Sequence, residues 1–351
     1  MNPYRSLPEH HFWRRSISAA ARAEFNPVVS TKFKIAKQDR IATAGSCFAQ
    51  HISRKLDQIG FNYFVTETGD DLPPDEAAAR NYRVFSARFG NVYTTRQLLQ
   101  LFEEAYGRRQ PAERVWQRTD GRFVDPYRPA IEPDGYATPA DVLAARRHHL
   151  ACVRRMFEEA DLFIFTLGLT ETWTSGADGS SFPVAPGVSG GEFDPQQHGF
   201  TNLTVADVEG DLAAFLDGFK QVNPNGKVLF TVSPVPLIAT YEPRNVLVST
   251  TYSKSVLRVA VERFWRELPW VDYFPSFEII TGSFNGGAYF AEDGREVNAF
   301  GVAHAMRCFV QNYVEGIENP AAVSVSTPSA RPAPQPDQIV CDEEAINQAN
   351  N

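Results

Sequence analysis

The chain has 351 residues, 43% of them hydrophobic and 12% aromatic, enough for a large buried core. Its net charge of −8 argues against a nucleic-acid backbone or an anionic membrane as main partner, despite a local basic cluster at Arg146, Arg147, Arg154 and Arg155. Four widely spaced cysteines without a C-x-x-C pair read as free thiols, no apolar N-terminal stretch resembles a signal peptide, and no run approaches the roughly 20 apolar residues of a membrane span, so a cytoplasmic location is expected.

Residues 1–39 read as an extension packed on the core, and residues 40–43 as a short strand running into Gly45-Ser46. Phe48, Ile52, Leu56 and Ile59 then recur at helical spacing up to Gly60, a C-cap. A second strand is expected at 61–68, an extended region around Gly90 at 82–93, and an amphipathic helix at 94–107. The stretch 111–137 is irregular, and a long helix begins near Pro139 and runs to about Ala160.

Residues 161–167 form a continuous apolar run, as in a strand covered on both faces. The Gly-, Pro- and Ser-rich segment 174–200 reads as one long loop insertion. A helix at 205–222, a strand at 227–233, a helix at 250–268, a strand-like run at 271–280 and a last helix at 299–314 follow. This alternation predicts an α/β fold: a three-layer α/β/α, doubly wound parallel sheet in one domain over 40–318. The Pro-rich tail 319–351 lacks periodicity and is expected to be disordered.

In such sheets ligands bind beyond the carboxyl ends of the strands, and four features fall there. Ser46, between the first strand and first helix, is placed for a nucleophile, with its own N–H or that of Cys47 as oxyanion donor. The alternative is a plain N-cap. Gly90-Asn91 precedes a helix and can expose an N–H, or simply make a turn. Gly168, Thr170 and Glu171 follow the most apolar strand; Glu171 either titrates unusually or pairs with an arginine such as Arg128. Asp293 and Glu296, before the last helix, supply an acid or base, or merely favour a helix start. No P-loop, dinucleotide fingerprint or zinc spacing occurs, and His148 and His149 diverge by about 100° on a helix. Neither metal nor cofactor is expected.

Gly45-Ser46-Cys47-Phe48-Ala49 is the motif that names the GSCFA family. The similarity continues through FGNVY (89–93), DPYRP (125–129), FTLGLTETW (165–173), VNPNGKVLFTVSPVPL (222–237), YSKSVLR (252–258), DYFPSFE (272–278) and YFAEDGREV (289–297). It spans roughly 40–315, and the chain is identified as a member of that family. The family resembles the SGNH/GDSL esterases, which implies a flavodoxin-like sandwich with Ser46 as nucleophile, Gly90 in the second, oxyanion block, the segment from Gly168 to Thr170 in the third, and Asp293 in a final Asp-x-x-His.

Two positions depart from that pattern. Thr170 stands where an oxyanion Asn belongs, and Glu296 where the catalytic His belongs. A solvated carboxylate, with a pKa near 4.3, is a poor base unless burial raises it. His51, His198 and His304 are therefore alternative bases. The resemblance implies a hydrolase or acyltransferase acting on a small-molecule O-acyl ester, a carbohydrate ester among the candidates. The Glu at 296 favours a rival reading, a catalytically inactive SGNH-like binding or scaffold protein.

Overall fold

The structure, a computed structural model, describes residues 2–316 and 342–348. After a short helix α1 (Trp13–Ser16), strand β1 (Ile41–Gly45) leads into α2 (Ala49–Gln58), and α3 (Pro74–Ala79) and α4 (Thr95–Ala105) follow. The small hairpin β2 (Trp116–Gln117) and β3 (Phe123–Val124) precedes the long helix α5 (Pro139–Glu159) and strand β4 (Leu162–Leu167). Then come β5 (Glu171–Ser175), β6 (Ser181–Phe182), β7 (His198–Asn202), α6 (Val205–Val222) and β8 (Lys227–Val232). The helix α7 (Val246–Glu267), β9 (Val271–Tyr273), α8 (Ser276–Thr281), α9 (Ala299–Tyr313) and α10 (Glu344–Gln348) complete the described chain.

The central sheet is parallel, in the order β1-β4-β8-β9, with Gly45 opposite Thr166 and Thr166 opposite Thr231. Every residue of β1 and β4 is buried, as the apolar runs require of strands covered on both faces. Phe163 and Phe165 pack on one side with residues of α4, α5, α6 and α7, while Ile41, Ile164 and Leu229 pack on the other with α2, α8 and α9. The result is the expected three-layer α/β/α fold. Thr94, Thr138 and Thr204 each close a reciprocal capping box, which fixes where α4, α5 and α6 start.

Four segments differ from the expectations. The strand expected at 61–68 makes only a single parallel bridge, Ile41 to Tyr63. Beyond it the Ser86 hydroxyl accepts the Thr43 N–H at 2.9 Å, so a side chain finishes the edge that a strand would have lined. The segment 174–200 is no simple loop, because β5 pairs antiparallel with β6 and β7 in a three-stranded sheet. The run 271–280 is strand only as far as Tyr273. Pro275 lacks an N–H to continue the ladder and caps α8, whose Ile279 N–H bonds the Pro275 carbonyl at 3.0 Å. Most of the tail expected to be disordered lies outside the described residues, but 342–348 does not: it forms a turn and α10, with Asp342 and Glu343 buried. Of the N-terminal extension, Ile35 is buried and bridges Val314.

Candidate functional site

The site is built where β1 and β4 end. Gly45 has φ +133°, and a Cβ on it would lie 2.3 Å from the Thr166 carbonyl oxygen, so only glycine lets the chain cross the end of β4 here. The Ser46 N–H donates to that same carbonyl at 3.0 Å. It is therefore spent on the sheet frame and is not an oxyanion donor. Phe48 occupies the N-cap of α2 and makes no side-chain cap bond, which removes the N-cap explanation of Ser46. The Ser46 side chain is buried, and its Oγ has no hydrogen-bond partner among the described residues; the neighbouring Thr166 Oγ1 is in the same condition. A buried hydroxyl left without a partner has a cost of about 1–3 kcal/mol and calls for an explanation.

Two further blocks are drawn onto Ser46 by main-chain bonds. The Val92 N–H donates to the Gly45 carbonyl at 2.9 Å, which holds Gly90-Asn91 beside the end of β1. Tyr93 in turn accepts the N–H groups of Gly168 and Leu169 at 2.9 and 3.0 Å. Gly168 faces Ser46 directly: an added Cβ would lie 3.0 Å from the Ser46 Cβ. Gly168 thus lies against Ser46, and Gly90-Asn91 is tied to the strand end just before it through Val92.

Thr170 does not aim at that centre. Its hydroxyl donates to Asn202 Oδ1 at 2.7 Å, and its N–H to Ser253 Oγ at 3.0 Å. Among the described residues Glu171 pairs with no arginine; it accepts from the Thr240 hydroxyl at 2.6 Å and the Tyr241 N–H at 3.2 Å. Arg128 instead bonds Asp125 at 2.8 Å and lies 3.7 Å from Glu67.

The remaining candidates lie apart. Asp293 is exposed and folds back on its own loop, accepting from the N–H groups of Arg295 and Glu296 at 2.9 and 3.0 Å, and Glu296 is exposed too. His304 is held between the Tyr289 hydroxyl and the Phe25 carbonyl, both at 2.6 Å, and so ties the N-terminal extension to α9. His198 receives the Asp194 N–H at 3.1 Å and contacts Glu113 at 3.1 Å, inside the small antiparallel sheet. The His51 ring packs edge-on against Phe48; burial, reinforced by Arg54, pushes its pKa down to about 4.

Four residues that the sequence did not single out are linked to Gly168 and Asn91. Lys254, from α7, is 1% exposed and donates to the Gly168 carbonyl at 2.7 Å. Burial lowers its ammonium to a pKa of about 8, with Glu343 and Cys47 opposing that fall and Arg295 adding to it. Asp342 Oδ2 accepts both the N–H and the Nδ2 of Asn91, at 3.3 and 3.0 Å. Arg295 donates to Glu343 Oε2 at 3.0 Å. Burial raises both carboxyls above their usual range; Asn91 opposes this at Asp342, and Arg295 and Lys254 oppose it at Glu343.

Two donors converging on one carboxylate oxygen form the arrangement that stabilises an oxyanion. Asn91 also borders a small open cleft edged by Gln100, Glu104, Arg109, Tyr127 and Arg146. Among the described residues no group of three His, Cys, Asp or Glu side chains is placed to hold a metal ion, and no helix is long and apolar enough to cross a membrane.

A comparison with curated proteins gave no match. The family comparison did: residues 40–309, from the first residue before β1 into the last long helix, match the GSCFA family, with Ser46, Gly90, Asn91, Gly168 and Lys254 all inside the matched span. The chain belongs to the GSCFA family.

Proposed function

We propose that this protein is a serine hydrolase or acyltransferase of the SGNH type, acting on an O-acyl ester. The observation that carries this reading is the partnerless, buried Ser46 hydroxyl at the end of the first strand, packed against Gly168 beside a two-donor hole at Asn91. In this reading Ser46 Oγ attacks the ester carbonyl carbon, and the carbonyl oxygen takes up negative charge between the N–H and Nδ2 of Asn91. Asn91 thereby supplies the side-chain donor that Thr170 does not.

Lys254, held on the carbonyl of the glycine that faces Ser46, accepts the serine proton as a neutral amine and returns it to the departing alcohol. Water or an acceptor alcohol then takes the acyl group from Ser46. Asp293 and Glu296 carry no step here, because both are exposed. The charged and hydroxyl groups edging the cleft beside Asn91 suit a polar, carbohydrate-like ester. The buried, undisulfided Cys152 and Cys308 support a reducing, cytoplasmic setting.

A second reading, a non-catalytic binding protein using the same hole, is favoured by one observation: no imidazole or carboxylate is hydrogen-bonded to Ser46 among the described residues. A fluorophosphonate probe separates the two. Labelling that disappears in Ser46→Ala supports the enzyme; folded protein that never labels supports the binder.

A further inference from the structure

The hole at Asn91 is filled by the chain's own C-terminal segment. Asp342 is 7% exposed and Glu343 6%, unusual for acidic residues that follow a Pro-rich stretch. The two carboxylates take separate anchors. Asp342 puts one oxygen between both donors of Asn91, and its Oδ2 would lie 3.7 Å from a Cβ built on Gly90. Glu343 takes the Arg295 guanidinium at 3.0 Å, with the Lys254 ammonium as a second attracting charge.

Each carboxylate is therefore matched by donors that belong to the folded domain and lie, in sequence, 251 and 48 residues away. The acid product of ester hydrolysis is itself a carboxylate, and it presents to a two-donor hole the same atoms that Asp342 presents. We infer that residues 342–348 are an internal ligand of the crevice, with Asp342 seated as a product mimic in the oxyanion hole, so that an ester enters only after this segment leaves. The inference rests on the reading of Ser46 and Asn91 as a reaction centre, and it adds a regulator to that centre.

The test uses the full-length chain. Asp342→Ala empties the hole, and Arg295→Gln loosens Glu343 without touching Asn91. Both variants label with fluorophosphonate at Ser46 faster than the parent, by about tenfold if the segment is seated about 90% of the time. Arg295→Gln also removes a charge that lowers the Lys254 pKa, which by itself would slow labelling, so acceleration in this variant reports release of the segment.

A synthetic peptide of residues 340–351, added to the full-length Asp342→Ala protein and followed by calorimetry, binds and restores slow labelling; Asn91→Ala in the same background abolishes the binding. Labelling at the parent rate in both variants, together with no peptide binding, overturns the inference. If Ser46 never labels but the peptide binds in an Asn91-dependent way, the internal ligand stands and the hydrolase reading falls.

Discussion

The ammonium of Lys254 is bonded at 2.7 Å to the carbonyl oxygen of Gly168, the residue whose Cα faces the Ser46 side chain. This contact fastens a buried amine to the residue that the buried Ser46 side chain faces. Since the amine works as a base only when neutral, and its pKa is lowered to about 8, the rate of fluorophosphonate labelling climbs as pH rises through about 8. The charged groups that tune it are Glu343, Cys47 and Arg295. Lys254→Met lowers the rate by roughly 10²- to 10⁴-fold and removes the rising limb. Lys254→Arg gives the same loss, because a guanidinium stays protonated. A pH profile unchanged in Lys254→Met would remove the lysine from the chemistry.

Gly45 and Gly168 are expected to fail differently. At Gly45 an added Cβ meets backbone at 2.3 Å, and φ is +133°, so Gly45→Ala destabilises the fold by about 3 kcal/mol or more, read in denaturant melts. At Gly168 the added methyl meets the Ser46 Cβ at 3.0 Å and the Tyr93 ring at 3.2 Å. Gly168→Ala accordingly costs about 1–2 kcal/mol while suppressing Ser46 labelling. Full reactivity in Gly168→Ala contradicts the placement of the serine.

His149 is fully buried against Glu67 at 2.8 Å, and burial, with Arg128 adding to it, pushes its pKa down to about 4. An unfolded chain takes up this proton near pH 6.5, which the native state refuses until about pH 4, so stability falls as pH drops across that window. Glu67 acts in the same direction: against the upward pull of burial, His149, Arg128 and the Arg88 N–H hold its carboxyl well below the usual range. Melting temperatures measured between pH 7 and pH 4 decline, and His149→Gln flattens the upper part of the decline. An equally steep decline in that variant would assign the effect elsewhere.

Asp125 joins Arg128 at 2.8 Å and Arg146 at 3.4 Å, with its own side chain 1% exposed. Removing one charge from such a network strands the others, so Asp125→Asn lowers stability by about 3–5 kcal/mol in chemical denaturation. A loss below about 1 kcal/mol would mean that water reaches these groups.

The central layer was legible because burial on both faces leaves unbroken apolar runs, as in the six residues of β4, and because Thr and Gly mark the helix ends. Ser46, Gly90 and Gly168 were legible as strand-end residues. The β5–β7 sheet was not, because Gly176 and Gly199 sit within or beside its strands and imitate loop composition. Lys254 occupies a polar-looking position in YSKSVLR, and nothing in a single sequence tells a buried lysine from a solvated one. Asp342-Glu343 follow a stretch whose composition signals disorder, and their partners lie far off along the chain. A contact between residues 91 and 342 leaves no periodicity to read.

The three converging loops are joined by peptide groups: Val92 to Gly45, Ser46 to Thr166, and Gly168 to Tyr93. These fastenings run between peptide groups, so what they ask of the sequence is chiefly the glycines that permit the close approaches. The exposed Glu296 takes no part in these bonds, whereas Thr170 and Lys254 are buried and bonded beside them. The three loops are thus held in register by the backbone itself, and a change in an exposed side chain such as Glu296 leaves that register as it is.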